Sequence, residues 1–227
     1  MSSFATTRRS ARFASAITVL VGLAVASAAA PAWSGGAGVL SATESPHGYS
    51  LTEMASAVAP FTMSDNDPAA YPATPFQVLH VDNIDYQLVD SGVVATATQS
   101  FTVRPGTPFY VPVFNATDGS PVVGTFPATA ADAPFNFFDP SQYGGTFEIV
   151  VDGSTTPLGA DYLAGPVPVQ GTELNIVTLG AFIHSLSTGS HTVTVRGTVD
   201  GAGVEEAHGI TYIEFEFTYN VQVQKGA

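Results

Sequence analysis

Beyond residue 75, the chain consists mainly of short stretches in which apolar and polar side chains alternate. Residues 93–103, 190–201 and 210–224 show this pattern and are rich in valine, threonine and aromatic residues. Alternation with a period of two is typical of β-strands that have one buried face. Turn signals separate the runs, so the sequence predicts an all-β fold, an antiparallel Ig-like or jelly-roll-type β-sandwich with one short N-terminal helix.

The last alternating run predicts most clearly which side chains are buried. Ile213, Phe215 and Phe217 fall on one face, whereas Glu214 and Glu216 fall on the other. We expect the first face to be core and the second to be wet. The two glutamates are therefore interpreted as solvent-facing acids rather than as a catalytic carboxylate pair.

The predicted helix begins at a capping signal. Ser50 and Glu53 have the spacing of a capping box, in which each side chain binds a backbone N–H at the start of the helix. Leu51 and Met54 then begin an apolar face with helical spacing. We expect the helix to end at Pro60, because proline disfavours helical backbone in the residue before it.

Two prolines and a glycine divide the apolar stretch at residues 101–116. Pro105 and Gly106 predict a type II turn, and the strand after it should return as the hairpin partner of the strand before it. Pro112 lies inside this second strand and predicts an edge or a bulge. Both faces of the strand are apolar, so we expect the following loop to cover it, with four phenylalanines as packing residues: Phe126, Phe135, Phe137 and Phe138.

The first thirty residues have the order of a secretory signal peptide. Arg8, Arg9 and Arg12 precede an apolar segment, and small residues follow it. Residues 1–30 are therefore predicted to be a signal peptide cleaved between positions 28 and 34, although an uncleaved membrane anchor remains an alternative. Residues 31–49 are predicted to be a flexible leader, and residues 50–227 a single domain. The prediction is a secreted or periplasmic protein with no membrane span after cleavage.

Charge and composition narrow the classes of partner. Without the three arginines of the first segment, three cationic residues remain against nineteen acidic ones, a net charge of −16 with neutral histidines. Such a chain repels phosphate backbones, which argues against nucleic-acid binding. The chain has no cysteine, which excludes thiol catalysis and disulfides. At this length, a single core needs no such cross-links.

Four segments resemble, in order, a family of secreted bacterial proteins of unknown function. They are the helix region SLTEMASAVAPFTMS, the stretch SFTVRPGTPFYVPVFNA, the strand and turn FEIVVDGSTTPLGADYLAGPV, and the run STGSHTVTVRGTV. The family is characterised by a V-P-A-G-x-x-x-F-x-P-x-x-N hairpin, a VDG turn and a GxH hairpin. The resemblance implies a β-sandwich and brings no known activity.

Few residues are arranged for metal chemistry. Asp65 and Asp67, with Asn66 between them, offer oxygen ligands of the kind Ca²⁺ prefers, but the EF-hand spacing is absent and turn chemistry also explains them. The five histidines contain no pair at metal-binding spacing. Ser190 and His191 are neighbours on a predicted strand and should point to opposite faces, which disfavours a catalytic pair.

Three tyrosines are candidates for binding a ligand. Tyr110, Tyr143 and Tyr162 lie at predicted edges or loops, where a tyrosine ring can present an apolar face to a sugar. The sequence therefore favours a non-catalytic binding or surface-associated module whose partner is an extracellular glycan or a surface protein. The alternatives are an extracellular hydrolase acting on a polymer, and a calcium-stabilised structural protein.

Overall fold

The computed structural model describes residues 38–226 and shows a β-rich fold with two sheets. Three α-helices lie among these residues: α1 (Leu51–Met63), α2 (Ala133–Phe138) and α3 (Ala202–His208). The strands are β1 (Gln77–Val78), β2 (Asp85–Val89), β3 (Gly92–Val103), β4 (Phe109–Thr117), β5 (Gly145–Val151), β6 (Ser154–Pro157), β7 (Leu163–Pro168), β8 (Asn175–Ile183), β9 (Gly189–Val199) and β10 (Ile213–Val223). The predicted signal peptide lies outside the described residues. No helix within residues 38–226 is both long and apolar enough to cross a membrane.

The strands form a four-stranded sheet in the order β1-β4-β8-β7 and a six-stranded sheet in the order β2-β3-β10-β9-β5-β6. The alternation predicted for β10 is confirmed, because its residues from Ile213 to Val223 are buried at every second position. The expectation of purely antiparallel pairing is wrong, since β10 runs parallel to β3, and β1 runs parallel to β4. Parallel partners need long connections, and more than a hundred residues separate β3 from β10.

The predicted turn at Pro105 and Gly106 is confirmed, but the predicted hairpin is wrong. Thr107 N–H donates to the Arg104 carbonyl at 3.2 Å, and Gly106 has a φ of +87°, which favours glycine. The turn leads the chain from the six-stranded sheet into the four-stranded sheet, so β3 and β4 are not partners. Local turn chemistry specifies the reversal of the chain but not the strand that β4 pairs with.

The predicted irregularity at Pro112 is confirmed as a bulge. The pairing of β4 with β8 shifts between Pro112 and Phe114. Pro112 lies opposite Gly180 and Phe114 lies opposite Leu179, so β4 has one extra residue here. On its other side, β4 pairs with β1 only at Phe109 and Tyr110. Pro112 therefore needs no ladder hydrogen bond on that side, which accounts for proline in a strand that has neighbours on both sides.

Helix α1 confirms the capping box and corrects the predicted end. Ser50 Oγ accepts from Glu53 N–H at 3.2 Å, and Ser50 N–H donates to Glu53 Oε2 at 2.7 Å. The helix continues through Pro60 to Met63. Phe61, just after the proline, is buried, and we attribute the extension to this packing, which outweighs the local preference.

Two further helices lie where strands or loops were expected. Helix α3 is inserted between β9 and β10, which the alternating pattern of the two strands did not predict. The long loop after β4 contains α2. Its Phe137 is buried as expected, whereas Phe135 is 53% exposed and does not join the core. On a helix, positions two residues apart face different directions, so both rings cannot point inwards.

Phe114 joins the two sheets. Its ring centroid lies 5.3 Å from that of Phe147 on β5 and 6.0 Å from that of Phe215 on β10. Phe137 of α2 contacts the same ring edge-on at 5.6 Å. The core therefore contains a cluster of aromatic rings contributed by both sheets.

The described part of the predicted leader packs against the four-stranded sheet. Val39 forms a β-bridge with Ile183, and Leu40 N–H donates to the Phe182 carbonyl at 2.9 Å. The Leu40 side chain is buried. Between Gly38 and Leu40, the leader is therefore held by backbone pairing, which its small and polar composition did not predict.

Candidate binding surfaces

The outer face of the six-stranded sheet presents polar side chains from neighbouring strands in register. Its three central strands contribute, in part, Thr96, Thr98, Ser100, Glu216, Thr218, Asn220, Thr192, Thr194 and Arg196. The opposite side of β10 is buried at every position from Ile213 to Val223. This outer face is rich in hydroxyl and amide groups and has few apolar side chains.

Arg196 is held between two carboxylates on this face. Its Nε donates to Glu216 Oε2 at 2.6 Å, and its Nη1 lies 3.4 Å from Glu148 Oε1. The hydrogen bond with Glu216 raises the pKa of Arg196, and Glu148 adds to this effect. All three side chains are partly exposed, so we expect the network to add only modestly to the stability of the sheet.

Two shallow depressions flank the ion-pair network. One, of about 530 Å³, lies over β2, β3 and β10 and is lined by residues that include Asp85, Thr96 and Glu216. The other, of about 330 Å³, lies over β5 and β9 beside Arg196 and Glu214. Both open widely to solvent and offer carboxylates and hydroxyls rather than an enclosed apolar site.

The edge strand β2 exposes apolar side chains to solvent. All five of its residues are exposed. Tyr86, Leu88 and Val89 are 53%, 82% and 39% exposed, and they are three of the five exposed large apolar residues within the described part of the chain. The sequence did not point to this strand as a binding surface, because a strand's position at an edge is not visible in its own sequence.

The predicted calcium ligands Asp65 and Asp67 lie in the turn after α1. Asp67 Oδ1 accepts from Ala69 N–H at 2.9 Å, and Asn66 Nδ2 donates to the Val81 carbonyl at 2.9 Å. Asp65 and Asn66 both have positive φ, at 55° and 61°, as in a tight turn. Within residues 38–226, no three histidine or acidic side chains are placed to hold a metal ion together.

The three predicted ligand-binding tyrosines are placed differently from the expectation of exposed rings. Tyr110 is fully buried, and a Cβ on Gly180 would lie 2.3 Å from its Oη, so the glycine makes room for the ring. Tyr162 is also buried, and its hydroxyl donates to the Leu40 carbonyl at 3.1 Å. Tyr143 packs edge-on against Phe114 with ring centroids 5.1 Å apart. Burial raises the pKa of Tyr110 and Tyr143 strongly.

The ring of His191 contacts two residues, Asp152 and Ser187. His191 Nδ1 lies 2.6 Å from Asp152 Oδ2, and His191 Nε2 lies 3.3 Å from Ser187 Oγ and 2.8 Å from the Ser187 carbonyl oxygen. Asp152 Oδ1 also accepts from Thr192 N–H at 2.8 Å. The neighbouring Ser190 bonds to Gln222 instead, as expected for a side chain on the other face. The arrangement links the turn before β9 to the turn after β5.

Comparison with known proteins leaves these surfaces to be interpreted from the structure. No family model matches the chain. No curated protein matches it either. The resemblance drawn from the four sequence segments therefore stays a prediction.

Proposed function

We propose that this chain is a secreted, non-catalytic binding module with β-sandwich architecture. The contacts of Phe114 with Phe147 and Phe215 support the sandwich, because side chains of both sheets meet in one core. The order of cationic, apolar and small residues over positions 1–30 supports export. The family resemblance agrees with both parts of the proposal.

The observation on which the binding role rests is the exposure of apolar side chains on β2. Single exposed apolar residues need no explanation, but Tyr86 and Leu88 lie on the same side of this five-residue strand and form a patch, whereas Val89 lies on the other side. Tyrosine and leucine at a sheet edge suit contact with another polypeptide. Because Tyr110 and Tyr162 do not present their rings for sugar stacking, a surface protein is favoured over a glycan.

The experiment that tests this function compares two screens of the same purified protein. A random peptide library displayed on phage and a glycan array are probed with the natural protein and with Leu88→Gln. We expect enriched peptides whose binding is lost in Leu88→Gln and kept in Phe135→Gln, a matched exposed apolar position on α2. Enrichment of glycans alone, unaffected by Leu88→Gln, would contradict the proposal.

An extracellular hydrolase is the second candidate, favoured by the contacts among Asp152, His191 and Ser187. In that function, Ser187 Oγ would attack an acyl carbon while its proton passed to His191 Nε2, and the leaving alcohol would take that proton. Water would then release the acyl group. The 2.8 Å contact with the Ser187 carbonyl argues against this function, because Nε2 can donate there only while it carries a proton.

Hydrolysis of p-nitrophenyl acetate separates the two candidates. A hydrolase should lose at least about a hundredfold in rate on Ser187→Ala and on His191→Ala. Ser190→Ala is the matched control, since Ser190 Oγ bonds to Gln222. We expect the natural protein and all three variants to share the same background rate, as a binding module should.

A further inference from the structure

We propose that β2 binds an extended segment of a partner protein as an additional strand of the six-stranded sheet, and that this segment has lysine or arginine at its ends. The inference rests on the proposed binding function and names its site and partner class. In such strand addition, backbone hydrogen bonds supply affinity, and alternate side chains supply specificity.

Among residues 38–226, the other sheet edges have features that block strand addition, and β2 has none of these features in its own sequence or pairing. At the opposite edge of the same sheet, β6 has four residues and ends at Pro157. The edges of the four-stranded sheet are β1, with two residues, and β7, which contains two prolines and a shift in its pairing with β8. Short strands, prolines and bulges are the usual means of blocking an edge. Strand β2 has five residues, no proline and regular pairing with β3.

The side chains of β2 provide the alternating contacts that strand addition requires. Tyr86 and Leu88 lie opposite Ala95 and Val93 of β3, on the side of the sheet that faces the core. Although they lie on this side, their side chains are more exposed than that of Val89, the third apolar residue of the strand. An added strand would place its own alternate side chains beside them, and this contact would cover apolar surface that is now in water.

The charges around β2 determine the kind of segment that fits. Asp85 begins the strand, and Asp90 follows it in the turn. Asp65 lies close enough to raise the pKa of Tyr86 in addition to the larger effect of burial. Neither β2, β3 nor β10 contains a lysine or arginine, and Arg196 on the next strand is already held by Glu216 and Glu148. Positive charges at both ends of a partner segment would complement this surface.

The same charges argue against a second copy of this chain as the occupant. In a two-fold dimer, β2 would pair antiparallel with the β2 of its partner copy. Asp85 of one copy would then approach Val89 or Asp90 of the other, so the acidic ends of both strands would meet. Like charges facing one another across strands are unfavourable.

Two defined peptide libraries test the inference. Each has six randomised residues, flanked by two lysines on both sides in one library and by two glutamates in the other. The natural protein should enrich binders from the lysine library at least about tenfold over the glutamate library. The best lysine-flanked peptide should lose about tenfold or more in affinity for Leu88→Gln and keep its affinity for Phe135→Gln.

Two further measurements test the mode of binding and the charge preference. Methylating one backbone nitrogen of the selected peptide at a time should abolish binding at every second position only. The N–H groups of a strand point alternately to its two edges, and only one edge of the added strand would face β2. The double variant Asp85→Asn/Asp90→Asn should reduce the preference for lysine flanks severalfold. Asparagine suits position 90, where φ is +53°.

The outcomes separate failure of this inference from failure of the binding function. Binders that depend on Leu88 but come equally from both libraries, or that tolerate N-methylation everywhere, would overturn strand addition with a cationic segment and leave the binding function standing. Dimerisation that Leu88→Gln removes would identify a second copy as the occupant and overturn the cationic partner. If no peptide binding depends on Leu88, both proposals fail.

Discussion

The two sheets differ in how many of their faces are buried. In the four-stranded sheet, β8 is buried at every position from Ile176 to Ile183, because α1 packs against β7 and β8. In the six-stranded sheet, β10 is buried only at alternate positions, and its other face is wet. A continuous apolar strand therefore indicates two covered faces, whereas an alternating strand indicates one.

The same difference extends from the faces to the edges. Helix α1 and the segment from Gly38 cover the four-stranded sheet, and its edge strands are short or contain proline. The six-stranded sheet has a polar outer face and an open edge at β2. One sheet thus has both faces covered, and the other leaves one face and one edge strand in contact with solvent.

The largest expected effect is at Phe114, where the two sheets meet. Replacing this residue with alanine should lower the free energy of unfolding by about 3–5 kcal/mol, because a buried ring is lost and a cavity remains. Urea denaturation followed by circular dichroism measures the change. Phe135→Ala, at an exposed position, should change stability by less than about 0.5 kcal/mol. Equal losses at the two positions would contradict the core described here.

High pH should destabilise the buried core strongly. Burial raises the pKa of Tyr110, Tyr143 and Tyr219, so these groups hold their protons in the folded state after an unfolded chain would have released them. Their contribution to stability is fully present below about pH 10, the ordinary tyrosine pKa, and is lost as pH rises above it.

Ultraviolet absorbance at rising pH measures this effect. Phenolate formation by Tyr110, Tyr143 and Tyr219 should coincide with unfolding seen by circular dichroism. Exposed Tyr86 should titrate apart from that transition, although partial burial and Asp65 raise its pKa. A smooth titration of every tyrosine with the fold intact would contradict the burial of these side chains.

Removing the arginine of the ion-pair network should have a smaller effect. Arg196→Gln leaves Glu148 and Glu216 on strands that flank β9, facing each other without a cation between them. We expect a loss of about 1 kcal/mol in the free energy of unfolding at low salt, and less at high salt. A loss that does not change with ionic strength would show that Arg196 acts through packing alone.

The smallest effect on stability is expected on the open edge. Leu88→Gln should change the free energy of unfolding by less than about 0.5 kcal/mol, because the side chain is already 82% exposed. Thermal melts of the variant and the natural protein should therefore coincide. A clear drop in melting temperature would mean that Leu88 is covered within the folded chain, and this would remove the basis for a partner at β2.

Features that depend on neighbouring residues could be predicted from the sequence. The capping box at Ser50 and Glu53, the turn at Pro105 and Gly106, and the alternation of β10 are all set within a few residues. Each follows from the backbone preference or the side-chain periodicity of the segment itself. The β-rich class could be predicted for the same reason.

The site depended on distant contacts, and the sequence did not predict it. Tyr110 was expected at an edge, but its ring fills space left by Gly180, seventy residues further along the chain. Asp152 and His191 meet although they are thirty-nine residues apart. Neither contact has a local signature, because a strand's sequence records which of its faces is apolar but not which strand lies beside it.

The sequence by itself determined the β-rich class of the fold, the turn at Pro105 and Gly106, the acidic charge and the two faces of β10. Only the tertiary structure decided that β4 leaves the sheet of β3, that β10 runs parallel to β3, and that β2 lies at an edge. The physical reason is that propensity and periodicity act over a few residues. Strand order is set by packing between residues that are far apart in the chain.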